Sequence, residues 1–474
     1  MNKPIAPLDR LLLNSPLLFM KINRLPFVLL CVIALGTLQA CKKENITSEL
    51  TSTQPPATSS ASDQQKDTAL AYSKDIYLWY NQIPASFDAR SFTELDKLMT
   101  GIRQYSTEPG FSQPVDRWSF AIKQAEWDNI SSGIAGDFGI NVFFMAPGDL
   151  RVKSVEKESP AAKAGVHRGW RVTKVAGSTD ITSANADFLV TNIYNSKNTS
   201  ISFSKPDNTS ADITLTAATY QENPIFLDTV YNVSSKKIGY LSYNSFLGDT
   251  ARTYSEFQRI FNRFTSENVN DVVVDLRYNG GGYVNIQTKL ANYLVNASAN
   301  GGLMMKQQYN DKYPQYNEST NFRKLGSLNL SRVFFIVSNN TASASELLIN
   351  NLKPYMDIKL IGPSKTYGKP VGYFNVPVGD WYIFPVSFRT TNKNGEGNYF
   401  NGLALDAQVA DGLDKDWGDL EESALAAAVR YITTGAARLA TTSPYVENAE
   451  VSRANNILSA PSFKGTVDPR KMPL

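Results

Sequence analysis

The stretch that decides the fold is Val333-Phe334-Phe335-Ile336-Val337-Ser338-Asn339-Asn340-Thr341-Ala342-Ser343-Ala344-Ser345-Glu346, which reads as a strand, a turn and the start of a helix. Its first five residues are β-branched or aromatic, as in a buried strand. Two similar runs, Val272-Val273-Val274 and Ile358-Lys359-Leu360-Ile361, lie before and after it. Buried strands that alternate with helical stretches predict an α/β domain with a largely parallel sheet.

Ser343 is a candidate catalytic residue, because a serine at a helix start lies near unsatisfied backbone N–H groups. Those groups could bind the oxyanion of a tetrahedral intermediate. Ser343 and Glu346 also have the spacing of an ordinary capping box, and Ser345 is a competing nucleophile on the same segment. The hexapeptide Thr341–Glu346 alone leaves these interpretations open.

The composition excludes several kinds of site. With one His and two Cys in 474 residues, the chain can hardly assemble a histidine-based hydrolase or a Cys/His metal site. A serine whose general base is a lysine needs neither residue type. The formal net charge of +3, from 47 basic and 44 acidic residues, gives no reason to propose nucleic acid as a partner.

Two further segments contain groups that such a serine needs. Lys369 lies in the loop Thr366-Tyr367-Gly368-Lys369-Pro370-Val371-Gly372, and it can act as a base only if burial lowers its pKa toward neutrality. Gly280-Gly281-Gly282 follows the first strand, and consecutive glycines let backbone N–H groups approach a ligand closely. A solvated lysine and a flexible turn are the plain alternatives.

Residues 1–41 have the pattern of a bacterial lipoprotein signal peptide. The basic start Met20-Lys21-Ile22-Asn23-Arg24 precedes a mostly apolar run, and Leu38-Gln39-Ala40-Cys41 resembles a lipoprotein cleavage box. We therefore expect Cys41 to carry a lipid that anchors the protein to a cell-envelope membrane, facing the periplasm or the cell surface. An ordinary signal peptide with a chance cysteine is the alternative.

The remaining chain divides by composition and periodicity. Leu95, Leu98, Met99 and Ile102 have the spacing of one apolar helix face, whereas the last residues are polar and show no clear period. We predict a flexible linker (42–66), an N-terminal helical region (67–130), a PDZ-like domain (131–220), a catalytic domain (221–435) and a loosely ordered polar tail (436–474).

Residues 131–220 resemble a PDZ domain. The strand-like run 149–155 is followed by Ser159-Pro160-Ala161-Ala162 and then by Arg168-Gly169-Trp170, which is the order of strand, helix and turn in that family. Phe138-Gly139-Ile140 lies where the family's carboxylate-binding loop would be. The resemblance makes Phe138, Gly139 and Ile140 candidate substrate-binding residues.

Taken in order, these segments resemble the carboxy-terminal processing (tail-specific) serine peptidases that contain a PDZ domain. The resemblance implies a crotonase-like α/β catalytic domain, an inserted or preceding PDZ-like domain and a small N-terminal helical region. It implies Ser343 as the nucleophile, Lys369 as the general base, and the backbone N–H groups of Gly280 and Ala344 as the oxyanion hole. The chain departs from the family in having Tyr373 where many members place a glutamine that orients the lysine.

The function that this resemblance implies is that of a lipid-anchored serine endopeptidase. Its partners would be proteins or peptides with free C-termini, and the reaction would need neither a metal nor another cofactor. The alternative is a catalytically inactive, lipid-anchored PDZ protein that binds peptides without cleaving them.

Overall fold

The computed structural model of the chain describes residues 60–435, 449–459 and 463–470. The predicted signal peptide with Cys41 lies outside these residues, as does the predicted linker up to residue 59. The last residues of that linker are helical, because the Ser60 side chain accepts a hydrogen bond from the Asp63 N–H and caps the first helix. Within the described residues, no helix combines the length and the apolar composition that crossing a membrane requires.

The N-terminal region contains three helices and two short strands. The apolar stripe predicted at Leu95–Ile102 forms the buried face of the second helix. The elements are α1 (Ala61–Ile76), α2 (Leu95–Ile102), β1 (Phe120–Lys123), α3 (Gln124–Ser132) and β2 (Ile134–Ala135).

A five-stranded antiparallel sheet with two helices follows, and we call it the five-stranded unit. Its strand order is β3-β4-β5-β6-β7, so β3 lies at an edge. The elements are β3 (Ile140–Ala146), β4 (Asp149–Val155), α4 (Pro160–Lys163), β5 (Arg171–Val175), α5 (Ala186–Ile193), β6 (Asn198–Ser204) and β7 (Ser210–Thr216), after which β8 (Tyr220–Gln221) pairs with β2.

The rest of the chain forms the catalytic region predicted from the sequence together with the C-terminal segment. The elements are β9 (Ile225–Val233), β10 (Lys236–Tyr243), α6 (Thr250–Ser266), β11 (Asp271–Asp275), β12 (Gly281–Tyr283), α7 (Val284–Leu294), β13 (Leu303–Tyr309), β14 (Glu318–Asn321), β15 (Arg332–Ile336), α8 (Ala344–Leu352), β16 (Asp357–Gly362), β17 (Val371–Tyr373), β18 (Val376–Val378), β19 (Trp381–Phe384), β20 (Val386–Thr391), β21 (Ala407–Gln408), α9 (Ser423–Thr434), α10 (Ala449–Ser459) and β22 (Gly465–Val467).

The central sheet is largely parallel, as the sequence predicts. Its order is β21-β16-β15-β11-β10-β9, and only β9 runs antiparallel to its neighbour. The two apolar runs of the sequence are adjacent, with Val272 paired to Val333. Because parallel strands end at the same edge of a sheet, the glycine turn after β11 and the Ser343 turn after β15 lie side by side.

A second six-stranded sheet contains a strand from the end of the chain. Its order is β12-β22-β17-β20-β13-β14. The polar composition of residues 436–474 predicts a loosely ordered tail. Instead, residues 449–459 form α10, and β22 lies within residues 463–470. The physical reason is a sparse apolar stripe: Val451, Ala454 and Leu458 are buried against the five-stranded unit, although most of the segment is polar.

Candidate active site

Ser343 precedes α8 in a strained backbone conformation. Its side chain is buried, and its φ of 60° and ψ of −108° lie outside the regions that serine normally adopts. Such a conformation costs on the order of 1–3 kcal/mol and is found most often at functional turns. The helix begins at Ala344, so the N–H group of that residue lies at the positive end of the helix.

Glu346 connects the serine turn to the lysine loop. Its Oε2 accepts hydrogen bonds from the backbone N–H groups of Ser343 and Lys369, both at 2.8 Å. Its Oε1 accepts from the Gly368 N–H at 2.7 Å and from the Thr366 hydroxyl at 2.6 Å. Burial raises the pKa of Glu346, and these four donors counteract that rise by favouring the carboxylate. One buried carboxylate therefore fixes the backbone of both predicted catalytic residues.

Lys369 is buried among aromatic rings. Only 1% of its surface is exposed, and this burial lowers its pKa well below the ordinary value for lysine. Its Nζ lies 3.4 Å from the centroid of the Tyr373 ring and 5.8 Å from that of Trp118. It also donates a hydrogen bond of 3.1 Å to the backbone oxygen of Lys464. Tyr373, the residue that replaces the family's glutamine, is thus in direct contact with the lysine.

The glycine turn is bonded directly to the serine turn. The backbone oxygen of Asn279 accepts from the Ala342 N–H at 3.0 Å and from the Ser345 hydroxyl at 3.0 Å. The Ser345 hydroxyl is therefore engaged in a structural hydrogen bond to the main chain. This arrangement favours Ser343 over Ser345 as the nucleophile.

The glycine turn lies close to the Ala344 N–H, one of the two N–H groups proposed for the oxyanion hole. A Cβ placed on Gly281, next to Gly280, would lie 3.0 Å from the Ala344 nitrogen. Within the described residues, neither the Gly280 N–H nor the Ala344 N–H donates a hydrogen bond. Two unpaired donors beside a buried serine are what an oxyanion hole requires.

The side chains of Ser343 and Lys369 are hydrogen-bonded to other groups in this structure. Within the described residues, no hydrogen bond joins Ser343 Oγ to Lys369 Nζ. The Ser343 Oγ instead lies 2.5 Å from the Oγ1 of Thr466, and the lysine bonds to Lys464, so both catalytic candidates contact the C-terminal segment.

Among the three candidate substrate-binding residues, Gly139 lines a cleft that reaches the glycine turn, whereas Phe138 and Ile140 are buried. A cleft of about 460 Å³ is bordered by Gly139 on one side and by Gly280 on the other. The Gly139 N–H donates to the Asp137 carboxylate at 2.8 Å, Phe138 is buried in the five-stranded unit, and Ile140 begins β3. Burial raises the pKa of the nearby Glu222 to about 7. The cleft thus joins the five-stranded unit to the glycine turn.

A buried ionic network that the sequence alone does not indicate lies beside the glycine turn. The Arg277 guanidinium bonds to Asp275 at 2.7 Å and to Asp411 and Glu422, each at 2.8 Å. Arg168 of the five-stranded unit bonds to the same Asp411 at 2.7 Å. Arg277 lies three residues before Gly280 in the sequence, but nothing local in the sequence indicates its distant partners.

A strained buried serine, a buried lysine and two N–H donors that have no partner among the described residues are groups that a serine-type peptidase site can use. Comparison with known proteins agrees with that class. Residues 237–409 match the sequence profile described as "Peptidase family S41". The matched region contains Gly280, Ser343, Ala344 and Lys369.

The curated relatives that match this chain are described as serine proteases. The chain is 26% identical over 259 residues to a "Probable CtpA-like serine protease" of Staphylococcus aureus (strain N315), which covers 54% of this chain and 49% of the relative. A similar protein of Staphylococcus saprophyticus is 25% identical over 259 residues, 54% of this chain and 50% of its own length. The chain thus spans about half the length of the curated relatives it matches.

A crystal structure from Bacteroides fragilis NCTC 9343, described as "Putative S41 protease", superimposes with a TM-score of 0.63. The two chains are 22% identical, and the superposition covers 78% of this chain and 97% of that one. The chain therefore has the S41 protease fold.

Proposed function

We propose that the protein is a serine endopeptidase that uses Ser343 as nucleophile and Lys369 as general base. The observation that carries the proposal is the carboxylate of Glu346, which bonds to the backbone N–H groups of both residues. Burial lowers the pKa of Lys369, so a neutral amine is available at a lower pH than in an ordinary lysine.

The chemistry follows from these groups. Neutral Lys369 takes the proton of the Ser343 hydroxyl while Oγ forms a bond to the carbonyl carbon of a peptide. The Gly280 and Ala344 N–H groups stabilise the oxyanion. The lysine then gives its proton to the leaving amine as the C–N bond breaks, and a water molecule hydrolyses the acyl-enzyme by the same route.

Substrate selection and location belong to the same proposal. The five-stranded unit would act as a PDZ-like module that binds the C-terminal part of a polypeptide through edge strand β3 and the loop Phe138-Gly139-Ile140. Lipid on Cys41 would hold the enzyme on an envelope membrane. A Cys41→Ser variant should move from the membrane fraction to the soluble fraction; equal amounts in the membrane fraction would contradict the anchor.

Cleavage of a labelled unfolded protein such as casein tests the enzyme assignment. Ser343→Ala should abolish cleavage, and Lys369→Met should lower the rate by at least about 100-fold, the usual contribution of a general base. Lys365→Met is the matched control, because Lys365 lies on the same loop but is exposed. Substantial cleavage by folded Ser343→Ala would refute the assignment.

The inactive peptide-binding protein remains the second candidate. It is favoured by one observation: in this structure Lys369 bonds to Lys464 rather than to Ser343. Failure of every form to cleave, combined with tight binding of a C-terminal peptide to the five-stranded unit, would favour this candidate over the peptidase.

A further inference from the structure

The short strand β22, near the C-terminus, lies in the candidate active site. β22 lies between β12 and β17 and pairs in parallel with both, with Gly465 opposite Gly281 and Val467 opposite Tyr373. The Gly465 N–H donates to the Gly280 oxygen at 2.9 Å, which places the segment against the glycine turn of the proposed oxyanion hole. An extended segment in this position occupies the slot between the two strands that border the site.

The same segment engages both candidate catalytic side chains. Thr466 Oγ1 lies 2.5 Å from Ser343 Oγ, and the backbone oxygen of Lys464 accepts the hydrogen bond of Lys369 Nζ. The Tyr373 hydroxyl also donates to that oxygen, at 3.4 Å. As long as these bonds are made, the lysine is directed to the C-terminal segment and not to the serine hydroxyl.

The packing leaves no space for a second peptide in the slot. A Cβ on Gly280 would lie 2.0 Å from the backbone oxygen of Phe463, and a Cβ on Gly281 would lie 2.3 Å from that of Gly465. The Phe463 ring packs edge-on against Trp127, with centroids 5.2 Å apart. A substrate strand must therefore displace this segment before it reaches Ser343.

Helix α10, which precedes the strand, is bound to the edge of the five-stranded unit. The Asn455 side chain bonds to both main-chain groups of Phe144 in β3, donating to the oxygen at 3.0 Å and accepting from the N–H at 2.8 Å. The buried residues Val451 and Leu458 join the apolar core of that unit. These contacts use edge-strand groups that an added peptide strand would otherwise use.

We propose that residues 449–459 and 463–470 act as an intramolecular pseudosubstrate, a proposal that rests on the proposed peptidase function. α10 covers the edge of β3, and the segment 463–468 fills the catalytic slot. A polypeptide that pairs with β3 competes with α10 and thereby favours release of the strand from Ser343. Access to the catalytic serine is then coupled to occupancy of the five-stranded unit.

The first experiment measures how fast a fluorophosphonate probe labels Ser343. Asn455→Ala removes both bonds to Phe144 and should loosen the segment. Gly465→Val should also loosen it, because a Cβ added at this position would lie 2.8 Å from the Tyr373 ring. We expect labelling at least about tenfold faster in both variants than in the unmodified chain. Asn456→Ala, which changes the exposed neighbouring asparagine, should label at the unmodified rate.

The second experiment does not depend on catalysis. In a Ser343→Ala background, a fluorescein-labelled peptide with the sequence of residues 463–470 is titrated into the full chain and into a chain that ends at Ser459. The shortened chain should bind the peptide and the full chain should not, and a scrambled peptide should bind neither. If the shortened chain does not unfold cooperatively on heating, the Gly465→Val chain takes its place.

The outcomes separate the two proposals. Unchanged labelling in both folded segment variants, or no peptide binding to a folded chain whose segment is absent or loosened, overturns the pseudosubstrate. Peptide binding without cleavage or labelling of any form supports the bound segment and overturns the peptidase function instead.

Discussion

In the proposed mechanism, the protonation state of Lys369 decides whether the site can act. Its burial lowers the pKa of the ammonium group, and only the neutral amine can accept the serine proton. We therefore expect kcat/KM to rise with pH and to level off above the pKa of the folded protein's lysine, below the ordinary lysine value of about 10.4. A peptide-cleavage pH profile measures this; a midpoint at or above the ordinary value would contradict it.

The burial of the Lys369 ammonium group also lowers the free energy of unfolding at neutral pH. Between the lowered pKa of the folded state and the ordinary pKa of the unfolded state, the unfolded chain binds more protons, so the free energy of unfolding rises with pH across that window. Lys369→Met removes a buried ionisable group and should raise the free energy of unfolding at neutral pH by about 1–4 kcal/mol. The difference should shrink as the pH approaches about 10.

Urea unfolding at several pH values checks this prediction, with exposed Lys365→Met as the control. A Lys369→Met protein that is less stable than the unmodified chain at neutral pH would show that contacts of the lysine, such as that with the Tyr373 ring, outweigh the cost of its burial. A gain in stability together with a loss of cleavage is the signature of a strained functional residue.

At the scale of elements, the ionic network around Arg277 holds α9 and the five-stranded unit to the end of β11. Arg277 is buried and bonds to Asp275, Asp411 and Glu422. Arg277→Met would leave the buried carboxylates of Asp275 and Glu422 and the partly buried carboxylate of Asp411 without this partner. Removing one partner of a buried ion pair typically costs about 3–5 kcal/mol. Urea unfolding should show a loss of that size.

The matched control for the network is Arg263→Met on α6. Arg263, whose side chain is 39% exposed, pairs with Glu267 at 2.7 Å and with Asp228 at 3.3 Å, and solvent-screened pairs of this kind contribute at most about 1 kcal/mol each. Equal unfolding midpoints for the Arg277 and Arg263 variants would contradict the structural role of the network. A loss of stability in Arg277→Met but not in Arg263→Met would show that the buried ionic network stabilises the turn that precedes Gly280.

At the scale of the whole molecule, local sequence predicts the central sheet but not the C-terminal strand. The runs at Val272–Val274 and Val333–Val337 are β-branched and apolar, so their burial and pairing follow from composition. β22 has only three residues, and its partners are fixed by tertiary structure. The bond between Ser343 and Thr466 spans 123 residues, a separation at which no periodicity gives a signal.

Some residues of the site can be predicted from local sequence, whereas others depend on contacts between distant segments. Ser343, Lys369 and the glycine turn are recognisable from short motifs, and the structure brings them together at one edge of the sheet. Glu346 is visible in the sequence only as part of a capping box. Its bonds to Thr366, Gly368 and Lys369 depend on how the two loops meet.

The most direct test of the central claim is to map by mass spectrometry where a fluorophosphonate probe attaches to the full chain. We predict a single adduct on Ser343, no adduct in Ser343→Ala, and labelling slowed by at least about 100-fold in Lys369→Met. Gly465→Val, which loosens the C-terminal segment, provides the more reactive form for the measurement. An adduct on another serine, or labelling that does not depend on Lys369, would contradict the serine–lysine assignment.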